Sequence, residues 1–124
     1  MQIIFNIFFD KFNIFFKNFY YKNYKLYLDD ERNPKTPGPW VVVRSYDEFI
    51  SMIEKNGVPG EISFDHDLGA GEGKDGIDCV KWMVNEKQFD MRNLIINVHS
   101  ANTVGKENIE GLIKSWNQFL DNEN

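Results

Sequence analysis

The chain is short of the residues that most often announce chemistry. A single cysteine, Cys79, stands among 124 residues, which excludes an internal disulfide and a cysteine-built zinc site. Two histidines, His66 and His99, are the whole supply of imidazole, so proton transfer near neutral pH has few candidates. No cleavable secretory signal is evident, because basic residues do not lead and no small-residue cleavage site follows. With one free thiol, this points to a reducing, cytoplasmic setting. Excess positive charge is missing as well: the formal net charge is −5, and residues 1 to 25 hold four lysines against Asp10, so the remainder carries −8. So acidic a chain is a poor non-specific binder of DNA or long RNA, whereas small phosphate ligands stay compatible where a metal or local Arg and Lys groups neutralise them.

At 42% hydrophobic and 27% charged composition, the chain suits one compact domain with a real core and has no room for a second. Residues 1 to 24 stand apart from the rest, being rich in Phe, Ile, Asn and Lys. Asn6, Asp10, Asn13 and Lys17 fall at helical spacing, and Ile4, Phe5, Phe8, Phe9, Phe12, Phe15, Phe16 and Phe19 cover most of the remaining circumference. That pattern fits an amphipathic helix. A spanning helix needs about 20 apolar residues, and Asp10-Lys11 interrupts the run, so stable membrane insertion is not expected. Membrane-surface attachment, a partner helix and translated sequence upstream of the true start all stay open. The expected organisation is an extension over 1 to 24, dispensable for folding, and an α/β domain over 25 to 124.

Lys25-Leu26-Tyr27-Leu28 reads as a strand ending in Asp29-Asp30-Glu31-Arg32, after which Asn33-Pro34 forces a turn. Pro37 and Pro39 leave no place for a helix before a second strand, Trp40 to Val43. Ser45 with Glu48 three residues on has capping-box spacing, and Tyr46, Phe49, Ile50 and Ile53 form the apolar stripe of a helix ending near Gly57. The third strand, Glu61 to Phe64, runs into Asp65-His66-Asp67. Continued extension would send Asp65 and Asp67 to one face and His66 to the other. Gly71, Gly73 and Gly76 have dinucleotide-loop spacing, but that motif belongs after the first strand of its unit, and Glu72 sits badly beside a phosphate. A mobile loop is the better reading. Asp75 then caps a helix with Ile77, Val80, Met83 and Val84 inward, and Cys79 reads as a packed thiol. Leu94 to Val98 is the fourth strand, ending in His99-Ser100-Ala101-Asn102, and from Gly105 onward Ile109, Leu112, Ile113, Trp116, Phe119 and Leu120 mark a closing helix.

This order predicts a mainly parallel sheet with right-handed crossovers, which binds ligands outside the carboxyl ends of its strands. Three polar strand ends meet there, and both histidines are among them. Activating a water and protonating a leaving oxygen are tasks that two imidazoles near neutral pKa can divide. Arg32 can hold an anion bidentately, with Ser100 and Asn102 donating further hydrogen bonds. The acids either orient the imidazoles or bind a divalent cation.

Paired acids after the first strand, Asp65 after a middle strand and Ser100-Ala101 after the next resemble a response-regulator receiver domain. Asp29 and Asp30 then correspond to its magnesium-holding acids, Asp65 to its phospho-acceptor and Ser100 to its phosphate-contacting hydroxyl. The first helix, the last strand and the receiver's lysine have no counterpart. LDDERNP, FDHDLG and HSAN are closer still to the receiver-like family proposed to process cyclic phosphates, met in bacterial and phage genomes. The resemblance implies a three-layer, flavodoxin-like α/β fold. It also implies hydrolysis of cyclic nucleotides or of RNA 2′,3′-cyclic phosphate ends, with His66, His99, Asp65 and Asp67 catalytic and Arg32, Ser100 and Asn102 on the substrate. Asp29, Asp30 and Asp65 would hold Mg2+ or Mn2+. The alternative is a non-catalytic receiver-like module that binds a nucleotide or protein and switches it.

Overall fold

The computed structural model of the chain describes residues 22–69 and 73–123. The helical pattern over residues 1 to 21 and the loop position Gly71 lie outside the described residues. Four strands form one sheet in the order β2-β1-β3-β4: β1 is Lys22–Leu28, β2 Trp40–Val43, β3 Pro59–Phe64 and β4 Ile95–Val98. Every neighbouring pair is parallel, with Leu26 beside both Val41 and Ile62, and Ile62 beside Ile96. As the prolines require, residues 29 to 39 reach β2 without a helix. β1 starts three residues before the expected Lys25, and the Tyr24 hydroxyl donates to the Gly57 carbonyl at 2.5 Å, tying the strand's start to the turn before β3.

Helix α1, Tyr46–Asn56, begins as its sequence predicts: Ser45 Oγ accepts from the Glu48 N–H at 3.2 Å. Glu48 Oε1 reaches one residue further back than a standard capping box, to the Arg44 N–H at 2.9 Å. Helix α2, Gly76–Lys81, has Asp75 as N-cap, whose N–H donates to Asp78 Oδ2 at 2.8 Å. It widens into a π-helical turn over Trp82–Glu86, closed by the Lys87 N–H on the Trp82 carbonyl at 3.1 Å, and the three successive side chains Trp82, Met83 and Val84 are all buried there. Helix α3, Thr103–Asn122, starts two residues before Gly105 because Asn102 Oδ1 caps it, accepting from the Gly105 N–H at 2.9 Å.

Phe49 and Ile53 of α1, Cys79, Val80 and Met83 around α2, and Ile109 and Ile113 of α3 share one core with Leu26, Leu28, Val43, Ile62 and Phe64. Burial holds the Cys79 thiol well above its usual range, with the charges of Asp78 and Asp75 adding to the effect, as a packed thiol requires. Strand alternation puts those sheet residues on a single face. The receiver-like parallel sheet is therefore as expected, but the described residues supply two of its three layers. Tyr27, Trp40, Val42, Ser63 and Ile95 lie on the other face, which none of the three helices covers.

The turn into α2 is tight: the Gly76 N–H donates to the His66 carbonyl at 2.6 Å, and a Cβ at Gly76 would overlap the Asp65 carbonyl oxygen. Gly76→Ala is expected to lower the unfolding free energy by about 1–3 kcal/mol, the usual range for an overpacked site. Denaturant titration of the two proteins measures it, and an unchanged midpoint would show that the turn has slack.

Candidate functional site

Asp29 leaves the end of β1 fully buried, a costly place for a carboxylate unless its acceptors are filled. Four donors fill them. Oδ1 accepts the backbone N–H groups of Glu31 and Arg32 at 2.9 and 2.8 Å, and Oδ2 accepts Arg32 Nε at 2.9 Å and His99 Nε2 at 3.0 Å. Burial pushes this carboxyl up. The two N–H groups, His99 and the Arg32 charge outweigh it and hold Asp29 below the usual carboxylate range.

Asp65, at the end of β3, has the opposite balance. It is 3% exposed, and burial followed by the neighbouring Asp29 charge raises its pKa against the pull of Arg32, His99 and Ser100. Arg32 joins the two acids, with Nη2 at 3.3 Å from Asp65 Oδ1; Nη1 has no partner among the described residues. Arg44 supports the turn from behind, donating to the carbonyls of Asp29 at 3.1 Å and Arg32 at 2.6 Å.

Donor atoms of Asp29, Asp65 and His99 lie within 4.8 Å of one another, close enough for a cation. That charge is already supplied by Arg32, and the acceptors of Asp29 are spent, so the set as it stands does not fit a divalent ion. Asp30 does not join it; its carboxylate lies against Gly69, where a Cβ would come within 3.0 Å of Oδ2.

His99 is held on three sides. Its Nε2 must carry a proton to donate to Asp29, its Nδ1 lies 2.7 Å from Ser63 Oγ, and its ring stacks on Tyr27 with centroids 4.4 Å apart. Tyr27 and Ser63 were missed in the sequence, although period-two alternation from Asp29 and Asp65 places them on the same face.

His66 lies away from this set. Extension stops after Asp65, and the His66 ring packs into the first turn of α3, where a Cβ on Gly105 would overlap its Cγ. Its Nδ1 is 2.8 Å from Asp67 Oδ1, and Asn102 Nδ2 donates to the same oxygen at 3.3 Å. Asp67 thus turns back to its neighbour instead of following Asp65. The His66 and Asn102 hydrogen bonds, in that order, hold its pKa below the ordinary value.

A cleft of about 280 Å³ opens between these groups, lined by Asp30, Glu31, Arg32, Asp65, Asp67, Gly69, Ser100 and Ala101. Arg32, Ser100, Asp65 and Asp67 are therefore brought together as the sequence suggests. Neither imidazole is among the lining residues, so His99 acts on Asp29 and His66 on Asp67 from behind. A family model described as "Cyclic-phosphate processing Receiver domain" matches residues 24–115. The chain belongs to this family. No curated protein and no solved structure matches it. No helix among the described residues is long and apolar enough to cross a membrane.

Within this receiver domain, Asp29 and Asp65 should respond oppositely to neutralisation. Asp29→Asn puts an NH2 among donors and should cost about 2–4 kcal/mol, whereas Asp65→Asn relieves a buried charge pair and should cost much less. The pH dependence follows from the signs. The depressed Asp29 pKa contributes stability above the ordinary carboxylate range that is lost as pH falls through the folded value. The raised Asp65 pKa contributes in the opposite sense, being complete below its unfolded pKa and lost as pH rises through the folded one. Denaturant midpoints of both variants across acid pH check this; equal losses at neutral pH would overturn the assignment.

Proposed function

We propose that this domain hydrolyses a small cyclic phosphate, a cyclic nucleotide or the 2′,3′-cyclic phosphate end of an RNA, in the cleft between the three strand ends. The observation that carries the reading is a pair of carboxyls facing one cleft with their pKa values pushed apart, Asp65 upward and Asp67 downward. Such divergence is how two acids take different proton-transfer roles. Membership of a cyclic-phosphate processing family supports the substrate class.

In this proposal Arg32 receives the non-bridging phosphate oxygens, using N–H groups that its contacts with Asp29 and Asp65 leave over. Ser100 and the amino-terminal end of α3 add hydrogen-bond donors and a favourable dipole. Water attacks phosphorus while one ester P–O bond breaks. Asp65, protonated, gives its proton to the departing ribose oxygen, and Asp67 takes one from the water, leaving a ring-opened phosphomonoester. His66 and Asn102 hold Asp67 in place. His99 fixes Asp29, which in turn fixes Arg32. The two imidazoles are thus positioning residues, and no step requires a metal ion.

Turnover of 2′,3′-cyclic nucleotides by purified protein tests the reading. Asp65→Asn and Arg32→Ala should each lower kcat/KM by about a hundredfold or more, the scale of a lost general acid or oxyanion donor. The rate should fall as pH rises through the Asp65 pKa and also fall at low pH as Asp67 protonates, a bell whose limbs belong to the coupled set. Ligand-induced stabilisation without product, in every variant, would instead identify a binding module.

A chelator should leave the rate unchanged, and millimolar Mg2+ or Mn2+ should not raise the melting temperature. Loss of activity in chelator, restored by either ion, would show that an ion displaces Arg32 from the acids.

A further inference from the structure

The cleft is small and unevenly charged. Its volume of about 280 Å³ lies at the lower end of the roughly 300–1,000 Å³ typical of ligand pockets, so it has room for a ribose cyclic phosphate and leaves the rest of a larger ligand at the rim. Arg32 is the one cation among the lining residues, and its N–H groups are shared between Asp29, Asp65 and an arriving phosphate. Arg44, the other guanidinium at these strand ends, is spent on the carbonyls of Asp29 and Arg32 and on Asn33 Oδ1 at 2.6 Å. Lys74 lies over the Tyr46 ring, 5.1 Å from its centroid. A second phosphate would therefore find no further cation among the described residues that line the cleft.

Two of the lining acids have no structural task. Asp65 meets Arg32, and Asp67 meets His66 and Asn102. The side chains of Asp30 and Glu31 make neither a hydrogen bond nor an ion pair among the described residues. Glu31 is exposed, and the Asp30 carboxylate stands against Gly69, across the cleft from its own loop. In a site that receives a phosphate, such carboxylates oppose every anion, and they oppose a doubly charged ligand more than a singly charged one.

We propose that Asp30 and Glu31 make the cleft selective for a nucleoside cyclic phosphate whose ring phosphate is its only charge, and that they turn away ligands with a further phosphate, such as a 5′-phosphorylated nucleotide or an RNA end. The inference rests on the hydrolysis proposed above and chooses between its two substrate classes. Two like unit charges about 7 Å apart in water weaken binding about threefold, and more beside a protein wall of lower dielectric. A 5′-phosphate brings nearly two charges against two carboxylates, so a loss of about tenfold or more is expected at low ionic strength.

The test compares adenosine 2′,3′-cyclic phosphate with the same compound carrying a 5′-phosphate, on the full chain and without added divalent ions. At an ionic strength of about 0.01 M, where the Debye length is about 30 Å, kcat/KM should be about tenfold or more lower for the 5′-phosphorylated compound. Near 1 M, where that length is about 3 Å, the two values should converge. The double variant Asp30→Asn/Glu31→Gln should bring them together already at low ionic strength. Glu123→Gln, at the other end of the 20-residue α3 and about 30 Å along it, should leave the gap as it is. Equal values for the two compounds at low ionic strength would overturn the proposal. So would a gap that neither salt nor the double variant narrows, which would mean rejection by shape. Absence of turnover with both compounds would refute the hydrolysis but not the selectivity, which is then decided by their dissociation constants: the same dependence on salt and on the double variant is expected, and the same two results overturn it.

Discussion

A carboxylate buried at the end of a central strand must either find donors for all its lone pairs or lose its charge, and the site is arranged around how Asp29 does the first. Two of its donors are backbone N–H groups of the turn that follows, which fixes the direction in which residues 30 to 32 leave the sheet. The other two are Arg32 Nε and His99 Nε2. One acid thereby positions a guanidinium beside Asp65 and an imidazole beneath it. If Asp29 were lost, Arg32 would lose its nearer anchor, His99 would lose the acceptor that selects its tautomer, and Asp65 would lose the neighbour that raises its pKa.

A second, smaller assembly repeats the logic at the start of α3. Asn102 caps the helix with its carbonyl oxygen and offers its amide to Asp67, while the missing side chain of Gly105 makes room for the His66 ring. Helix start, imidazole seat and carboxylate anchor are thus one set of contacts. In both assemblies the imidazole stands behind a carboxylate, so the groups presented to the cleft are hard, anionic oxygens and one guanidinium.

Most of the fold was legible because it rests on local rules. Pro34, Pro37 and Pro39 exclude a first helix, Ser45 and Asp75 mark helix starts, and the three polar strand ends mark one sheet edge. The site was legible as a set but not as an arrangement. Alternation places Asp65 correctly only while the strand lasts, and the chain turns one residue later, so Asp67 could not be assigned by parity. The position of Arg32 depends on a three-residue turn closed by Asp29's own side chain, a contact with no periodic signature. The π-helical turn and the placing of all three described helices on one face of the sheet likewise follow from tertiary packing and crossover direction.

The charge of the cleft places a condition on any phosphate that enters. Asp30, Glu31, Asp65 and Asp67 line it against Arg32 alone, so with every acid ionised an anion meets net repulsion. Two features reduce it: the dipole of α3 at the Ser100 side, and the ease with which Asp65, already raised by burial, takes up a proton. An arriving phosphate competes for Arg32 and adds its own negative charge beside Asp65, and both effects raise that pKa further. Binding of the anion and protonation of the acid are therefore linked, each favouring the other. In the proposed reaction this linkage has a use. The same proton that admits the substrate is the one the departing ribose oxygen needs, so the cleft is charged for catalysis by the act of binding.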